Sequence, residues 1–212
     1  MKVISVNVSA AVKVEYDGET VSTGIFKKPL NNSVNVNSVG LNGDEQADLI
    51  NHGGAYKAVY AFSSDHYEHW RKVLEKPSLQ LGAFGENLSI SNLNESQMCI
   101  GDQLRVGTCL LEVSQPRVPC FKLGIALGNT RAPKLFTKTF QTGVYFRVLE
   151  EGALVQGDDV VKTFSAPGSV SVETLFQAYF DKKYEGAEAV FLKALKLDSL
   201  APEWKEKLIK RV

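Results

Sequence analysis

The sequence predicts a mainly β protein of the α+β class: a β-barrel with a few short helices, followed by a small helical appendage. Short segments in which apolar and polar residues alternate, as they do in half-buried strands, recur through residues 1–167. Turns rich in Gly, Asn and Asp separate them at close intervals, which favours a barrel or folded sheet over a parallel βαβ sheet. Beyond Ala166-Pro167-Gly168 the apolar spacing becomes helical. We therefore expect two domains, the barrel at residues 1–167 and a three-helix domain at residues 168–212.

Strand candidates follow one another through the first domain. Gly107-Thr108 separates two of them and predicts a tight hairpin. The candidates are residues 3–5, 34–39, 57–62, 88–90, 104–106, 109–113 and 143–149.

Helical spacing interrupts these strands twice. Tyr67, Trp70 and Leu74 fall on one apolar stripe of a helix that Pro77 ends. A second short helix is predicted directly after Cys120.

The appendage divides into three helices at Gly186 and Pro202. Its eight basic and seven acidic residues leave almost no net charge. Nucleic acid is therefore not an expected partner, although three short helices can resemble a helix-turn-helix.

Charge and composition exclude several classes of protein. Lys+Arg 24 and Asp+Glu 24 give a formal net charge of +0, which argues against a non-specific binder of nucleic acid or anionic membranes. No apolar run approaches the roughly 18 residues that span a bilayer, and the first residues lack the apolar block of a signal peptide. Three cysteines, an odd number, fit a reducing compartment better than a disulfide framework. We expect a cytoplasmic protein with no membrane partner.

Two of the three cysteines are expected to pack in the core. Cys109 alternates with Leu111 and Val113 on one side of a strand, as a small apolar residue would. Cys99 lies between apolar neighbours beside a turn, and the same interpretation holds for it.

Cys120 has a different setting. Pro116 and Pro119 forbid a regular helix or a central strand, so a stiff loop delivers Cys120 to the start of a helix. Free N–H groups there favour a thiolate, and Arg117 and Lys122 add positive charge. A soft thiolate suits a metal ligand or a nucleophile. A buried structural cysteine in a proline-rich connection explains the same residues equally well.

Other polar residues beside glycines have two interpretations each. Lys27 follows a glycine in a setting that suits an anion, or it is an exposed lysine before a turn. Asp48 and His52 precede Gly53-Gly54, where a backbone can approach a ligand closely, although a lone histidine is usually structural.

Glu86 and Asn87 follow Gly85 at the entry to a strand. This loop aims both side chains into a pocket, or it is a tight strand entry capped by its own side chains.

Taken together and in this order, the motifs resemble the MOSC domain, named after the C-terminal domain of molybdenum-cofactor sulfurases. The closer resemblance is to its bacterial YiiM-like branch, whose members carry a three-helix C-terminal extension. The resemblance covers nearly the whole chain. Its Pro-Arg-x-Pro-Cys and His-Gly-Gly elements are specific to the family, whereas a Gly-Asp pair alone means little. The motifs are Gly24-Ile25-Phe26-Lys27, Asp44 and Asp48, His52-Gly53-Gly54, Gly85-Glu86-Asn87-Leu88, Gly101-Asp102 and Pro116-Arg117-Val118-Pro119-Cys120.

The resemblance implies a MOSC-type barrel and a molybdenum cofactor, molybdopterin, whose metal is held by the Cys120 sulfur and two dithiolene sulfurs. Lys27 and Arg117 are then candidates for the cofactor phosphate. Asn87 and His52 are candidates for hydrogen bonds to the pterin or to metal oxygens. Asp48 would orient His52 or relay protons, so that Cys120, His52 and Asp48 form the catalytic set.

Relatives in this family reduce N-hydroxylated compounds, including hydroxylaminopurine base analogues, by oxygen-atom abstraction at the metal. No flavin or nicotinamide fingerprint occurs in the sequence, so a separate electron-donating reductase is the expected protein partner. A homodimer is left open.

Two other functions compete with this one. In the first, Cys120 carries sulfur or the molybdenum cofactor to another enzyme, as a persulfide or a thiolate, without its own redox turnover. In the second, the chain is a non-enzymatic module whose C-terminal helices bind a partner or DNA.

Overall fold

The computed structural model describes residues 1–47 and 53–212. The strands within these ranges are β1 (Lys2–Val8), β2 (Val12–Tyr16), β3 (Glu19–Thr23), β4 (Lys28–Leu30), β5 (Val34–Asn37), β6 (Gly40–Leu41), β7 (Val59–Ser63), β8 (Leu88–Ser91), β9 (Gln103–Val106), β10 (Cys109–Pro116), β11 (Val144–Glu150), β12 (Gly152–Leu154) and β13 (Val160–Phe164). The helices are α1 (Tyr67–Val73), α2 (Phe121–Ala126), α3 (Ala132–Thr139), α4 (Val172–Phe180), α5 (Ala187–Leu195) and α6 (Pro202–Ile209).

Eight strands form one large curled sheet in the order β13-β9-β10-β11-β7-β8-β1-β4. Neighbouring strands are antiparallel except β7 and β8, which are parallel. The sheet closes on itself where β13, at one end, meets β1, next to the other end: the Val3 N–H donates to the Asp158 carbonyl (2.9 Å) and the Val160 N–H to the Met1 carbonyl (3.0 Å). This closure gives the barrel that the sequence predicts, and the mainly β fold class is confirmed.

The structure corrects several strand bounds. The strand predicted at residues 57–62 begins only at Val59, because Ala55–Lys57 forms a 3-10 turn. The strand predicted at residues 34–39 ends at Asn37, where a turn leads into β6. Helix α3, which follows Gly128-Asn129, was not predicted. A proline lies in its first turn, where a missing N–H costs little, and such a proline is easily taken for the end of a helix rather than its beginning.

The C-terminal helices pack directly onto the barrel. Helices α4, α5 and α6 fall within residues 168–212, as predicted. Phe176, Trp204 and Leu208 on these helices belong to the same apolar cluster as Leu104 and Leu111 of the barrel. The division into two domains at residue 167 stays a prediction.

A second apolar cluster lies outside the barrel core and supports the loops at one end. It contains Phe62, Trp70, Phe84 and Phe136, whose rings contact one another; the Phe84 and Phe136 rings stack with centroids 5.2 Å apart. Stacked and tilted aromatic pairs of this kind give a rigid platform. Within the part of the chain that the structure describes, no helix is long and apolar enough to cross a bilayer.

Candidate functional site

The loop after β10 positions Cys120. Pro116 ends the strand, and Pro119 keeps the next residues out of a helix because neither ring nitrogen can donate a hydrogen bond. Cys120 then takes an extended conformation as the N-cap of α2, and its carbonyl accepts a hydrogen bond from the Leu123 N–H (3.0 Å). The thiol is partly exposed rather than packed in the core.

A cleft of about 100 Å³ opens beside this loop, and we call it the Cys120 cleft. Four of the predicted site residues line it together: Lys27, Asn87, Arg117 and Cys120. They come from the approaches to β4, β8 and α2 and from the end of β10, which are far apart in sequence. The other two predicted site residues, Asp48 and His52, lie outside the described residues.

The Arg117 side chain is buried against aromatic rings. Its guanidinium carbon lies 5.0 Å from the centroid of the Tyr60 ring and 5.3 Å from that of Phe136, and only 5% of the residue is exposed. Nη1 of Arg117 has no hydrogen-bond partner among the described residues. Burial raises the pKa values of Tyr60 and Tyr145, so both phenols are neutral at pH 7 and supply no counter-charge.

A buried guanidinium without a carboxylate partner is costly, because the charge has lost its water. An anionic ligand in the cleft would offset this cost and satisfy the free N–H. The position of Arg117 therefore fits the role of an anion ligand.

Lys27, by contrast, already has a counter-ion. Its ammonium pairs with the Asp44 carboxylate, and both side chains are almost completely buried. Burial lowers the pKa of Lys27, and the Asp44 charge opposes this change. The structure thus places Lys27 in the cleft, with part of its charge already neutralised.

The Asn87 amide is held by a backbone N–H at its oxygen and by a carboxylate at its nitrogen. Its Oδ1 accepts from the Tyr60 N–H (3.0 Å), and its Nδ2 donates to Asp44 Oδ2 (2.9 Å). Asp44 also accepts from the Ser9 N–H (2.9 Å). Through these bonds Asn87 and Asp44 hold together the loops that line the cleft, including the one that carries Lys27.

Glu86 does not enter the Cys120 cleft. Its carboxylate accepts hydrogen bonds from the Gly82 N–H (2.8 Å), from the Ser89 hydroxyl (2.8 Å) and from the Tyr67 hydroxyl. The residue is completely buried. Of the two sequence interpretations of this segment, the strand entry capped by its own side chains applies to Glu86.

The other two cysteines are poor candidates for metal binding. Cys109 is fully buried in the barrel core, and burial raises its pKa to about 11. Burial also raises the pKa of Cys99. Both thiols therefore resist ionisation, but only Cys109 has the fully packed position predicted for both, since Cys99 is partly exposed.

The described lining of the Cys120 cleft carries more positive than negative charge. Four basic side chains face two carboxylates: Lys27, Lys57, Arg117 and Lys122 against Asp44 and Glu45. Sequence reasoning did not single out Lys57 or Tyr145, because pairing of β7, β10 and β11 brings them to the cleft and their local sequences carry no signal.

Comparison with known proteins identifies the family of this chain. The MOSC domain profile matches residues 48–161. The chain belongs to the MOSC domain family. A crystal structure of YiiM from Geobacillus stearothermophilus superimposes with a TM-score of 0.82 at 30% identity, covering 99% of this chain and 98% of that one. The resemblance to the YiiM-like branch is thereby confirmed.

Two related sequences add to this. The uncharacterized protein YflK of Bacillus subtilis is 40% identical over 171 residues, 81% of this chain and 77% of that protein. A protein named "Reductase" from Gibberella moniliformis is 38% identical over 146 residues, 68% of this chain. The matched segment is only 26% of that longer protein. The segment that this chain matches is therefore one part of a larger protein named as a reductase.

Proposed function

We propose that this MOSC protein is an oxidoreductase that binds a molybdenum cofactor at Cys120 and reduces N-hydroxylated compounds. The observation that carries the proposal is the juxtaposition of a partly exposed thiol with a buried guanidinium whose Nη1 has no hydrogen-bond partner among the described residues. The family and the name of the Gibberella relative support redox chemistry.

The residues around the Cys120 cleft fit such a cofactor. A thiolate is a soft ligand suited to a metal of this type, and Cys120 is the one cysteine of three that lines the cleft. The cofactor phosphate needs cationic and N–H partners, which Arg117 and Lys122 offer. Lys27 also lines the cleft, although Asp44 neutralises part of its charge.

When bound, the cofactor supplies a metal that exchanges two electrons with the substrate. The balanced reaction converts R–NHOH, two electrons and two protons into R–NH2 and water. The protein binds and orients both molecules and delivers the protons. The rigid proline loop fixes the thiol, and the aromatic platform under Arg117 keeps that charge in place.

Proton delivery is the role proposed for Asp48 and His52. This assignment rests on the family motif and on the general ability of a carboxylate–imidazole pair to hold and move a proton. Electrons are proposed to come from a separate reductase.

Turnover tests the proposal. Protein purified from a host that makes the cofactor should reduce benzamidoxime to benzamidine with reduced methyl viologen as electron donor. Cys120→Ser should abolish this activity, whereas Cys109→Ala, the matched control in the core, should keep it. Wild-type protein that contains molybdenum but does not turn over any N-hydroxylated compound would favour the cofactor-carrier function instead.

A further inference from the structure

A buried hydrogen-bond network leads away from the Cys120 cleft behind Arg117. It begins at Tyr60, which lines the cleft and whose ring lies against the Arg117 guanidinium. The Tyr60 hydroxyl donates to the Thr142 carbonyl (2.8 Å), and both residues are buried. Because burial raises the pKa of Tyr60, the phenol keeps its hydrogen for this bond at pH 7. The ring that supports Arg117 is therefore tied to the segment just before β11.

The peptide group between Thr142 and Gly143 continues the network. Its carbonyl accepts from Tyr60, and its N–H donates to Oε1 of Glu95 (3.1 Å). A peptide group that is bonded at both ends is polarised, which strengthens each bond. A Cβ atom at Gly143 would lie 2.5 Å from the Ala61 carbonyl oxygen and 2.7 Å from a ring carbon of Tyr60. This turn is thus packed directly against Tyr60, and Glu95 holds its other end.

Glu95 is almost fully buried and does not line the Cys120 cleft. Its Oε2 lies 3.4 Å from Nε2 of His66, whose side chain is 20% exposed, and its backbone carbonyl accepts from the Glu173 N–H at the start of α4 (3.2 Å). Burying a carboxylate is costly, because the group loses its water. An apolar side chain would avoid this cost but would leave the Gly143 N–H without its acceptor. The contribution of Glu95 is therefore the bond to this peptide.

We propose that Glu95 is a positioning residue for the Cys120 centre. It fixes Tyr60 through the Thr142–Gly143 peptide, and Tyr60 in turn holds Arg117 where the cofactor phosphate binds. The inference rests on the proposed function, since it takes the anion at Arg117 to be the cofactor phosphate. It adds a residue outside the cleft to those that determine how long the cofactor stays bound.

The test measures release of the cofactor from full-length protein purified from a cofactor-producing host. Free cofactor is removed, and released pterin is followed over time by the fluorescence of its oxidised form. Glu95→Leu removes the acceptor, Glu95→Gln keeps an acceptor oxygen without the charge, and Tyr60→Phe removes only the hydroxyl. Glu112→Leu is the matched control, since it removes another buried glutamate, which pairs with Arg147 outside the cleft lining.

We expect Tyr60→Phe and Glu95→Leu each to release the pterin about fivefold faster than the wild type. One hydrogen bond contributes about this factor to an affinity, and most changes in affinity appear in the dissociation rate. The double variant should release the pterin no faster than either single variant, because both changes break the same network. Glu95→Gln and Glu112→Leu should release it at the wild-type rate.

A merely structural Glu95 gives a different pattern. It would lower the melting temperature in Glu95→Leu, while the effects of Glu95→Leu and Tyr60→Phe on release would add. Additive effects, wild-type release in Tyr60→Phe, or release from Glu95→Gln as fast as from Glu95→Leu would each overturn the inference and leave the proposed reaction standing. Tyr60→Phe decides the question if Glu95→Leu does not fold.

Binding of inorganic phosphate to cofactor-free protein, measured by calorimetry, separates this inference from the proposed function. Protein that holds no cofactor but binds phosphate, more weakly in Glu95→Leu and Tyr60→Phe, would overturn the proposed function and keep the positioning role. Protein with the expected release rates that reduces no N-hydroxylated compound would overturn only the reaction. Wild-type protein that binds neither cofactor nor phosphate would overturn both.

Discussion

The guanidinium of Arg117 lies over the ring of Tyr60, with its carbon 5.0 Å from the ring centroid. A carboxylate in a salt bridge would neutralise this charge, but Arg117 forms no salt bridge among the described residues. Aromatic rings contact the guanidinium instead. The cation is therefore kept inside the protein in a form that still attracts an anion. This is the physical basis for placing the cofactor phosphate at Arg117.

Replacing Arg117 should release the cofactor more than it slows the loaded enzyme. We expect Arg117→Ala to lower molybdenum and pterin content at least about tenfold, because a charge-assisted contact with a phosphate is lost. Content is measured by elemental analysis and by fluorescence of the oxidised pterin. Arg131→Ala, at an exposed arginine, is the control. Full occupancy in Arg117→Ala would mean that the phosphate binds elsewhere.

The buried pair of Lys27 and Asp44 gives a prediction about stability. Asp44→Asn leaves the Lys27 ammonium buried without its counter-ion, so the free energy of unfolding should fall by about 3–5 kcal/mol. Adding Lys27→Met to Asp44→Asn removes the unpaired charge and should restore part of the loss. Urea denaturation of both single variants and the double variant measures this cycle. Strictly additive losses would contradict a direct interaction between the two side chains.

Glu86 gives a prediction about pH. Burial raises the pKa of Glu86 in the folded protein above its ordinary value of 4.5. The stabilising contribution of the protonated carboxyl is therefore complete below pH 4.5 and is lost as the pH rises through the folded-state pKa. The unfolding free energy of the wild type minus that of Glu86→Gln should therefore decrease as the pH rises over that interval. The exposed Glu68, whose pKa is lowered by Lys72, is the control: Glu68→Gln should show no such decrease.

The three cysteines should differ in their reaction with iodoacetamide. In native, cofactor-free protein at pH 8, Cys120 should be alkylated at least about tenfold faster than Cys99, because it lines the open Cys120 cleft and burial raises the pKa of Cys99. Cys109, with a pKa of about 11 and no exposed surface, should react only after unfolding. Peptide mass spectrometry follows each site. Equal rates at Cys99 and Cys120 would contradict the suppressed ionisation that the raised pKa of Cys99 implies.

The barrel and its appended helices were predictable because they depend on local periodicity. Alternation predicts β10 and β11, and helical spacing predicts α4–α6. Site residues were predictable only where their sequence neighbours mark them, as the two preceding prolines mark Cys120. The hydrogen-bond partner that Lys27 and Asn87 share was not predictable. It is Asp44, which lies on a loop distant from both in sequence. Lys57 and Tyr145 were not predicted for the same reason, since only tertiary packing brings them to the Cys120 cleft.

The molybdenum content of Cys120→Ser tests the central claim most directly. The wild type, Cys120→Ser and Cys109→Ala are purified from one cofactor-producing host, and metal per protein is measured by inductively coupled plasma mass spectrometry. If the Cys120 thiolate is the protein ligand, the wild type and Cys109→Ala contain comparable molybdenum and Cys120→Ser contains almost none. Molybdenum at the wild-type level in Cys120→Ser would contradict the account.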